Sequence, residues 1–167
     1  RLNQLLYEDL PAEKFVTLAA GLLSPAEGAL KLISAGHGPL LFYSRAEDRF
    51  RSDDAQGPPL GLLRQSCYSG PQVLTFAPGD ILVWVTDGFI EWANANDEDF
   101  GQNRLKEVVR ACRDMPAEKI ISQLYSAVQE FAGSTAQLDD LTALVMERSS
   151  SGEQIPRRKG GITAAGE

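Results

Sequence analysis

The chain has 167 residues, of which 43% are hydrophobic and 23% charged, and its formal net charge at pH 7 is −7. This composition is ordinary for a globular domain, and the acidic excess argues against a nucleic-acid partner, which would need a basic face. With one histidine, His37, and two cysteines, Cys67 and Cys112, a multi-histidine zinc site, a four-cysteine zinc site and a disulfide framework are all excluded.

No apolar run approaches the length of a membrane span, and residues 1–6 lack the layout of a signal peptide. We therefore expect a cytoplasmic protein with reduced thiols and no membrane contact from this segment.

The first half of the chain is predicted to contain one helix followed by strands. Leucines at helical spacing in residues 1–9 indicate a helix, although no capping residue precedes it. The apolar segment 15–23 predicts a strand buried on both faces, and the alternation over 30–35 predicts a second strand that pairs with it as a hairpin. Further strands are expected at 40–43 and 72–76, and a polar stretch, residues 44–56, lies between them.

The second half begins with the most strand-like segment, residues 81–86, which ends at an Asp-Gly pair. Apolar residues at helical spacing predict two amphipathic helices, over 102–113 and 116–132, and 141–146 is a final predicted strand. Residues 149–167 are too polar to fold alone and are typical of a tail or linker. Clustered strands followed by clustered helices indicate an α+β fold with antiparallel sheets.

Aspartates stand at the ends of two predicted core strands. Asp87 directly follows the strand 81–86, and Asp139 and Asp140 directly precede the strand 141–146. If the two strands are neighbours, these carboxylates converge, and such hard oxygen ligands favour magnesium, manganese or calcium. An Asp-Gly turn and a solvated Asp-Asp loop are the alternative interpretation, and the spacing leaves both open.

The remaining candidate residues carry weaker signals. His37 lies between two glycines, as turn residues often do, and the pattern leaves open whether it acts as a general base. We expect Cys67 and Cys112 to be structural, Cys112 because it lies on the apolar face of a predicted helix. The acidic residues 97–99 lack the pattern of an EF-hand loop and are expected at the surface.

Seven short segments, each weak alone, occur in an order and spacing that resemble one family. They are Phe-Val-Thr-Leu (15–18), Ser-Ala-Gly-His-Gly-Pro-Leu (34–40), Pro-Leu-Gly-Leu (59–62), Pro-Gly-Asp (78–80), Thr-Asp-Gly-Phe-Ile-Glu (86–91), Phe-Gly (100–101) and Asp-Asp-Leu-Thr (139–142). Together they resemble the serine phosphatases typified by stage II sporulation protein E and the sigma-B regulation phosphatases. These are a bacterial branch of the metal-dependent (PPM, type 2C) protein phosphatases.

The resemblance implies an α-β-β-α sandwich of two antiparallel sheets flanked by helices, with two Mn²⁺ or Mg²⁺ ions in the complete domain. It implies that Asp87 and Asp139 are catalytic metal ligands, with Asp140 a further candidate, and that a metal-activated water attacks phosphoserine. The implied partners are a phosphorylated anti-sigma-factor antagonist and an upstream sensor or receiver domain. A homodimer is compatible with the family, and the sequence leaves the oligomeric state open.

The chain departs from the family pattern because two upstream aspartate motifs, Gly-Gly-Asp and Asp-x-Ser-Gly-His-Gly, are absent from this sequence. We therefore expect residues 1–148 to form the C-terminal portion of such a domain and to be weak or inactive as a phosphatase alone. A truncated, non-catalytic module that regulates a partner or binds a phosphoprotein is the alternative. An unrelated α+β domain with accidental motifs is the third hypothesis.

Overall fold

The computed structural model describes residues 1–11 and 13–149. The predicted tail at 149–167 therefore lies outside the described residues, apart from Ser149. The helices are α1 (Leu2–Asp9), α2 (Gly88–Glu91), α3 (Gly101–Ala111) and α4 (Ala117–Ala132), and the strands are β1 (Leu18–Ser24), β2 (Ala29–Ala35), β3 (Leu40–Ser44), β4 (Arg49–Asp53), β5 (Gln72–Thr75), β6 (Ile81–Val85) and β7 (Ala143–Glu147).

The strands form two antiparallel sheets, one in the order β1-β2-β5 and the other in the order β4-β3-β6-β7. The sheets pack face to face through a core of seven buried residues: Leu30, Leu32, Leu74 and Phe76 from the first sheet and its end, and Leu40, Phe42 and Leu82 from the second.

A larger core lies between the second sheet and the helices. Alternate residues along β3 and β6 point away from the first sheet because successive side chains of a strand face opposite sides. These side chains meet the apolar stripes of α3 and α4, whose spacing the sequence predicted. The buried set includes Leu41, Tyr43, Ile81, Val83, Val85, Leu105, Val109, Ile120, Leu124 and Val128.

Helix α1 lies beside the outer face of the first sheet. Its Asn3 is buried, donates to the Leu63 carbonyl at 2.9 Å and accepts from the Gly61 amide at 3.0 Å. Residues of α1 also line a pocket together with Ile33 and Ala35 of β2. With α1 on one side and α3 and α4 on the other, the predicted α-β-β-α sandwich is confirmed.

The space between the sheets is filled around β2, β3 and β6 but opens between the edge strands β1 and β7. The opening is a cleft of about 520 Å³ whose walls include Leu23, Trp84 and Leu144. The indole Nε1 of Trp84 is buried and has no hydrogen-bond partner among the described residues. Within the same described part of the chain, no helix combines the length and apolarity needed to cross a bilayer.

The predicted burial and start of the first strand are wrong, and two other features were not evident from the sequence. Strand β1 begins at Leu18, not at residue 15, and five of its seven residues are exposed, because it is an edge strand beside the open cleft. The polar segment 44–56 contains β4, an edge strand whose backbone pairs with β3 although its side chains are largely exposed. Cys67 is exposed, whereas Cys112 is buried as expected, and burial raises the pKa of the Cys112 thiol.

The packing of α4 predicts a large effect of truncating its central leucine. Leu124 is 0% exposed, so Leu124→Ala should lower the free energy of unfolding by about 2–5 kcal/mol, because a cavity replaces well-packed methyl groups. Leu22 of β1 is 69% exposed, and Leu22→Ala should change the free energy of unfolding by no more than about 0.5 kcal/mol. Urea denaturation of both variants measures the difference, and equal losses would contradict this assignment of the core.

Candidate functional site

The pairing of β6 with β7 brings the predicted site aspartates to one edge of the second sheet. The strands are antiparallel, with Val85 opposite Ala143, so the end of β6 lies beside the start of β7. The pairing continues one step further, since the Thr86 amide donates to the Thr142 carbonyl at 3.0 Å. Asp87 and the segment 139–140 therefore leave the sheet side by side, which meets the condition of neighbouring strands that the sequence analysis left open.

Asp87 stands at the N-terminus of the short helix α2. Its carboxylate accepts a hydrogen bond from the Gly88 amide at 3.1 Å, and its carbonyl accepts from the amides of Ile90 and Glu91. The residue itself is exposed. The backbone of Asp87 is thus held by strand and helix while its carboxylate stays open to solvent.

Asp139 and Asp140 lie on a loop that is held through its backbone. The Gln137 side chain donates to the Asp139 carbonyl at 2.7 Å, and the Thr86 hydroxyl donates to the Asp140 carbonyl at 2.9 Å. The Tyr125 hydroxyl of α4 donates to the Leu141 carbonyl. Both aspartates are exposed, and the Asp139 carboxylate accepts from the Asp140 amide at 2.7 Å.

The two loops touch at Gly88. A Cβ atom at this position would lie 2.6 Å from the Asp140 carbonyl oxygen, far inside van der Waals contact. The clash would be with backbone, which cannot swing aside as a long side chain can. Glycine at position 88 therefore permits the close approach of the Asp87 loop to the Asp140 loop.

The acids at this edge fit a hard divalent cation in the kind of donor they offer. Asp87, Asp139 and Asp140 carry carboxylate oxygens, which Mg²⁺ and Mn²⁺ prefer. Within residues 1–11 and 13–149, no group of three or more His, Cys, Asp or Glu side chains is placed to hold a metal ion. The described residues thus suit part of a donor set and do not form a complete metal centre by themselves.

The structure places next to Asp139 several residues to which the sequence analysis gave no role at the site. A pocket of about 370 Å³ is lined by Glu91, Asp97 and Asp139. Thr86 and Tyr125 hold the 139–142 loop, but their hydrogen bonds depend on tertiary contacts that no local pattern encodes. Glu91 and Thr86 lie within a motif already recognised, so that motif was the available signal.

His37 packs edge-on against Trp84, with ring centroids 5.4 Å apart. Its backbone amide and carbonyl both bond to the Ser34 hydroxyl, as a turn residue would. The side chain borders the cleft between β1 and β7, whose lining also includes Thr86 and Thr142. These contacts give His37 a packing role at the wall of that cleft.

Comparisons with known proteins agree with the fold. The family model for stage II sporulation protein E (SpoIIE) matches residues 1–149. Protein IcfG of Synechocystis sp. is 28% identical over 135 residues, which are 81% of this chain and 21% of that protein. Phosphoserine phosphatase RsbU of Bacillus subtilis is 24% identical over 148 residues, covering 88% of this chain and 43% of its own length. The chain thus spans less than half the length of these curated relatives.

Among solved structures, the SiaA-PP2C domain of Pseudomonas aeruginosa superposes with a TM-score of 0.69 at 21% sequence identity. The match covers 87% of this chain and 57% of that structure. At this level of identity, the superposition demonstrates a shared fold.

The contact at Gly88 predicts that even one added methyl group disturbs the edge. Gly88→Ala should lower the free energy of unfolding by about 1–3 kcal/mol, because the added Cβ must displace the Asp140 backbone. Gly70→Ala is the matched control, since its Cβ would meet nothing within 4 Å, and its effect should stay within about 0.5 kcal/mol. Urea denaturation tests this, and a Gly88→Ala variant as stable as the control would show that the two loops do not constrain each other.

Proposed function

The chain belongs to the stage II sporulation protein E family, and from this premise we propose that it contributes part of the active site of a metal-dependent protein serine phosphatase. The observation that carries the proposal is the meeting of Asp87 with the 139–140 loop at the β6–β7 edge. Exposed carboxylates on a rigid edge can serve a phosphorylated protein, whose phosphoserine must reach them from solvent.

Asp87 and Asp139 are the proposed catalytic metal ligands, and Asp140 is the further candidate. They would hold Mn²⁺ or Mg²⁺, with two ions in the complete domain. When bound, such ions supply an activated water for in-line attack on phosphorus and offset the charge of the phosphoryl group. The chain's own contribution is to present anionic oxygens from two loops that the sheet keeps adjacent.

The proposed substrate is a phosphoserine protein of the anti-sigma-factor-antagonist type. The support is the similarity to RsbU of Bacillus subtilis, which is named a phosphoserine phosphatase. An attached sensor or receiver domain is the proposed source of regulation. Both curated relatives are more than twice as long as the region they share with this chain, which leaves room for such a domain.

We expect the complete protein to release phosphate from a phosphoserine protein in a Mn²⁺-dependent manner and Asp87→Asn to abolish this release. The amide keeps the size of the side chain but removes the negative charge that a hard cation requires. Asp139→Asn should behave in the same way. Phosphate release measured over a Mn²⁺ titration provides the test.

Asp114→Asn is the matched control for these variants. Asp114 is an exposed aspartate bound to Arg45, next to the turn that joins β3 to β4 at the opposite end of the second sheet. This variant should retain wild-type turnover. Undiminished activity of Asp87→Asn would remove Asp87 from the mechanism, and a wild-type protein without phosphatase activity would favour the non-catalytic binding module.

A further inference from the structure

We propose that Thr86 is a positioning residue whose hydroxyl sets the spacing between Asp87 and the Asp139–Asp140 loop. This inference rests on the proposed function, because it concerns how the same site is assembled. It assigns to Thr86 the task of holding one loop against the other, without direct contact with substrate or metal.

The Thr86 hydroxyl makes two hydrogen bonds to the backbone of the neighbouring loop. It donates to the Asp140 carbonyl at 2.9 Å and accepts from the Thr142 amide at 3.0 Å. It therefore spans Leu141 and fixes the backbone on both sides of that residue. Asp87 is the next residue along the chain, so a single side chain connects the two acidic segments.

The position of the Asp140 carbonyl depends on Thr86 and on Gly88. The Thr86 hydroxyl attracts it at 2.9 Å, and the absence of a side chain at Gly88 lets it approach so closely that a Cβ there would lie 2.6 Å away. The hydrogen bond therefore holds this carbonyl in a position that is open only because residue 88 has no Cβ. The carboxylates of Asp139 and Asp140 are carried by the backbone that this position determines.

The backbone pairing of β6 with β7 does not by itself fix the position of the Asp140 carbonyl. The hydrogen bond from the Thr86 amide to the Thr142 carbonyl extends the β6–β7 ladder but leaves the Asp140 carbonyl untouched. Without the hydroxyl, the Asp140 carbonyl and the Thr142 amide each lose a partner and turn toward water. The loop that carries Asp139 would then be held at Leu141 by Tyr125 but not at Asp140.

A purely structural role for Thr86 would make a different prediction. A β-branched residue at the end of a strand favours extended backbone, and valine would serve that purpose as well as threonine. If Thr86 positions the loop, its hydroxyl is required, and removing the hydroxyl should weaken the binding of the metal ion. Groups that orient metal ligands typically change that affinity by about 10- to 100-fold when removed.

The experiment compares Thr86→Val, Thr86→Ala and Thr86→Ser in the complete protein. Mn²⁺ binding is measured directly by electron paramagnetic resonance of the free ion, and thermal denaturation without metal is recorded in parallel. Thr86→Val and Thr86→Ala should weaken Mn²⁺ binding by about 10- to 100-fold, whereas Thr86→Ser, which keeps the hydroxyl, should stay within about threefold. Thr75→Val, an exposed threonine on the edge strand β5, is the control and should bind Mn²⁺ like the wild type.

Wild-type Mn²⁺ affinity in Thr86→Val would overturn the proposal, and so would a Thr86→Ser variant as weak as Thr86→Val. If Thr86→Val fails to fold, the comparison of the alanine and serine variants distinguishes the same two outcomes. Failure of the proposed function has its own signature, because Asp87→Asn would then bind Mn²⁺ as the wild type does. That result would overturn both proposals, whereas weak binding by Asp87→Asn with normal binding by Thr86→Val would overturn this one alone.

Discussion

The antiparallel pairing of β6 with β7 is the contact on which the rest of the arrangement depends. These strands are separated in the chain by all three helices of the larger core, yet they lie side by side in the sheet. β6 is a central strand, with Ile81, Leu82, Val83 and Val85 almost wholly inaccessible to solvent, so it cannot shift without disrupting both cores. A one-residue slip of β7 would exchange its two faces, placing side chains that meet the helices in the inter-sheet space. Burial of the side chains therefore determines the register of β6 against β7. The same register fixes the relative positions of the two loops at the end of this strand pair.

The candidate site combines a rigid backbone with exposed charge. Carboxylates buried without partners would cost far more than a small domain can offset. Here the acids protrude into solvent, while hydrogen bonds to the carbonyls of Asp87, Asp139, Asp140 and Leu141 hold the chain beneath them. Such an edge remains stable while its charged groups are hydrated, and those groups can exchange water for another ligand with little rearrangement of the chain. The atoms that hold the chain in place and the carboxylate atoms that are free to bind a ligand are thus different atoms of the same residues.

Much of this could be predicted from the sequence because the relevant signals are local. The apolar stripe of α4 predicts an amphipathic helix, and the unbroken apolar run of β6 predicts a core strand. An acid directly after a core strand must lie at a sheet edge. The failures concern edge strands: β4 is polar because neither face is well covered, and β1 is apolar although much of it is exposed. The bonds of Thr86 and the contact at Gly88 were also out of reach, since each joins residues more than fifty positions apart. Only the three-dimensional structure reveals that the Asp140 carbonyl accepts from the Thr86 hydroxyl and lies where a Cβ at position 88 would clash with it.

The approach of Gly88 to residue 140 has an evolutionary consequence, because it involves the carbonyl oxygen and not the aspartate side chain. Every amino acid carries that oxygen, so the contact places no restriction on which residue occupies position 140. It restricts instead the path of the chain and the size of residue 88. Among related sequences, this contact predicts that glycine persists at position 88, whereas any restriction on the residue at position 140 would come from the proposed metal binding and not from the contact. Variation at position 140 would then report on ligand chemistry alone, separated from the demands of folding.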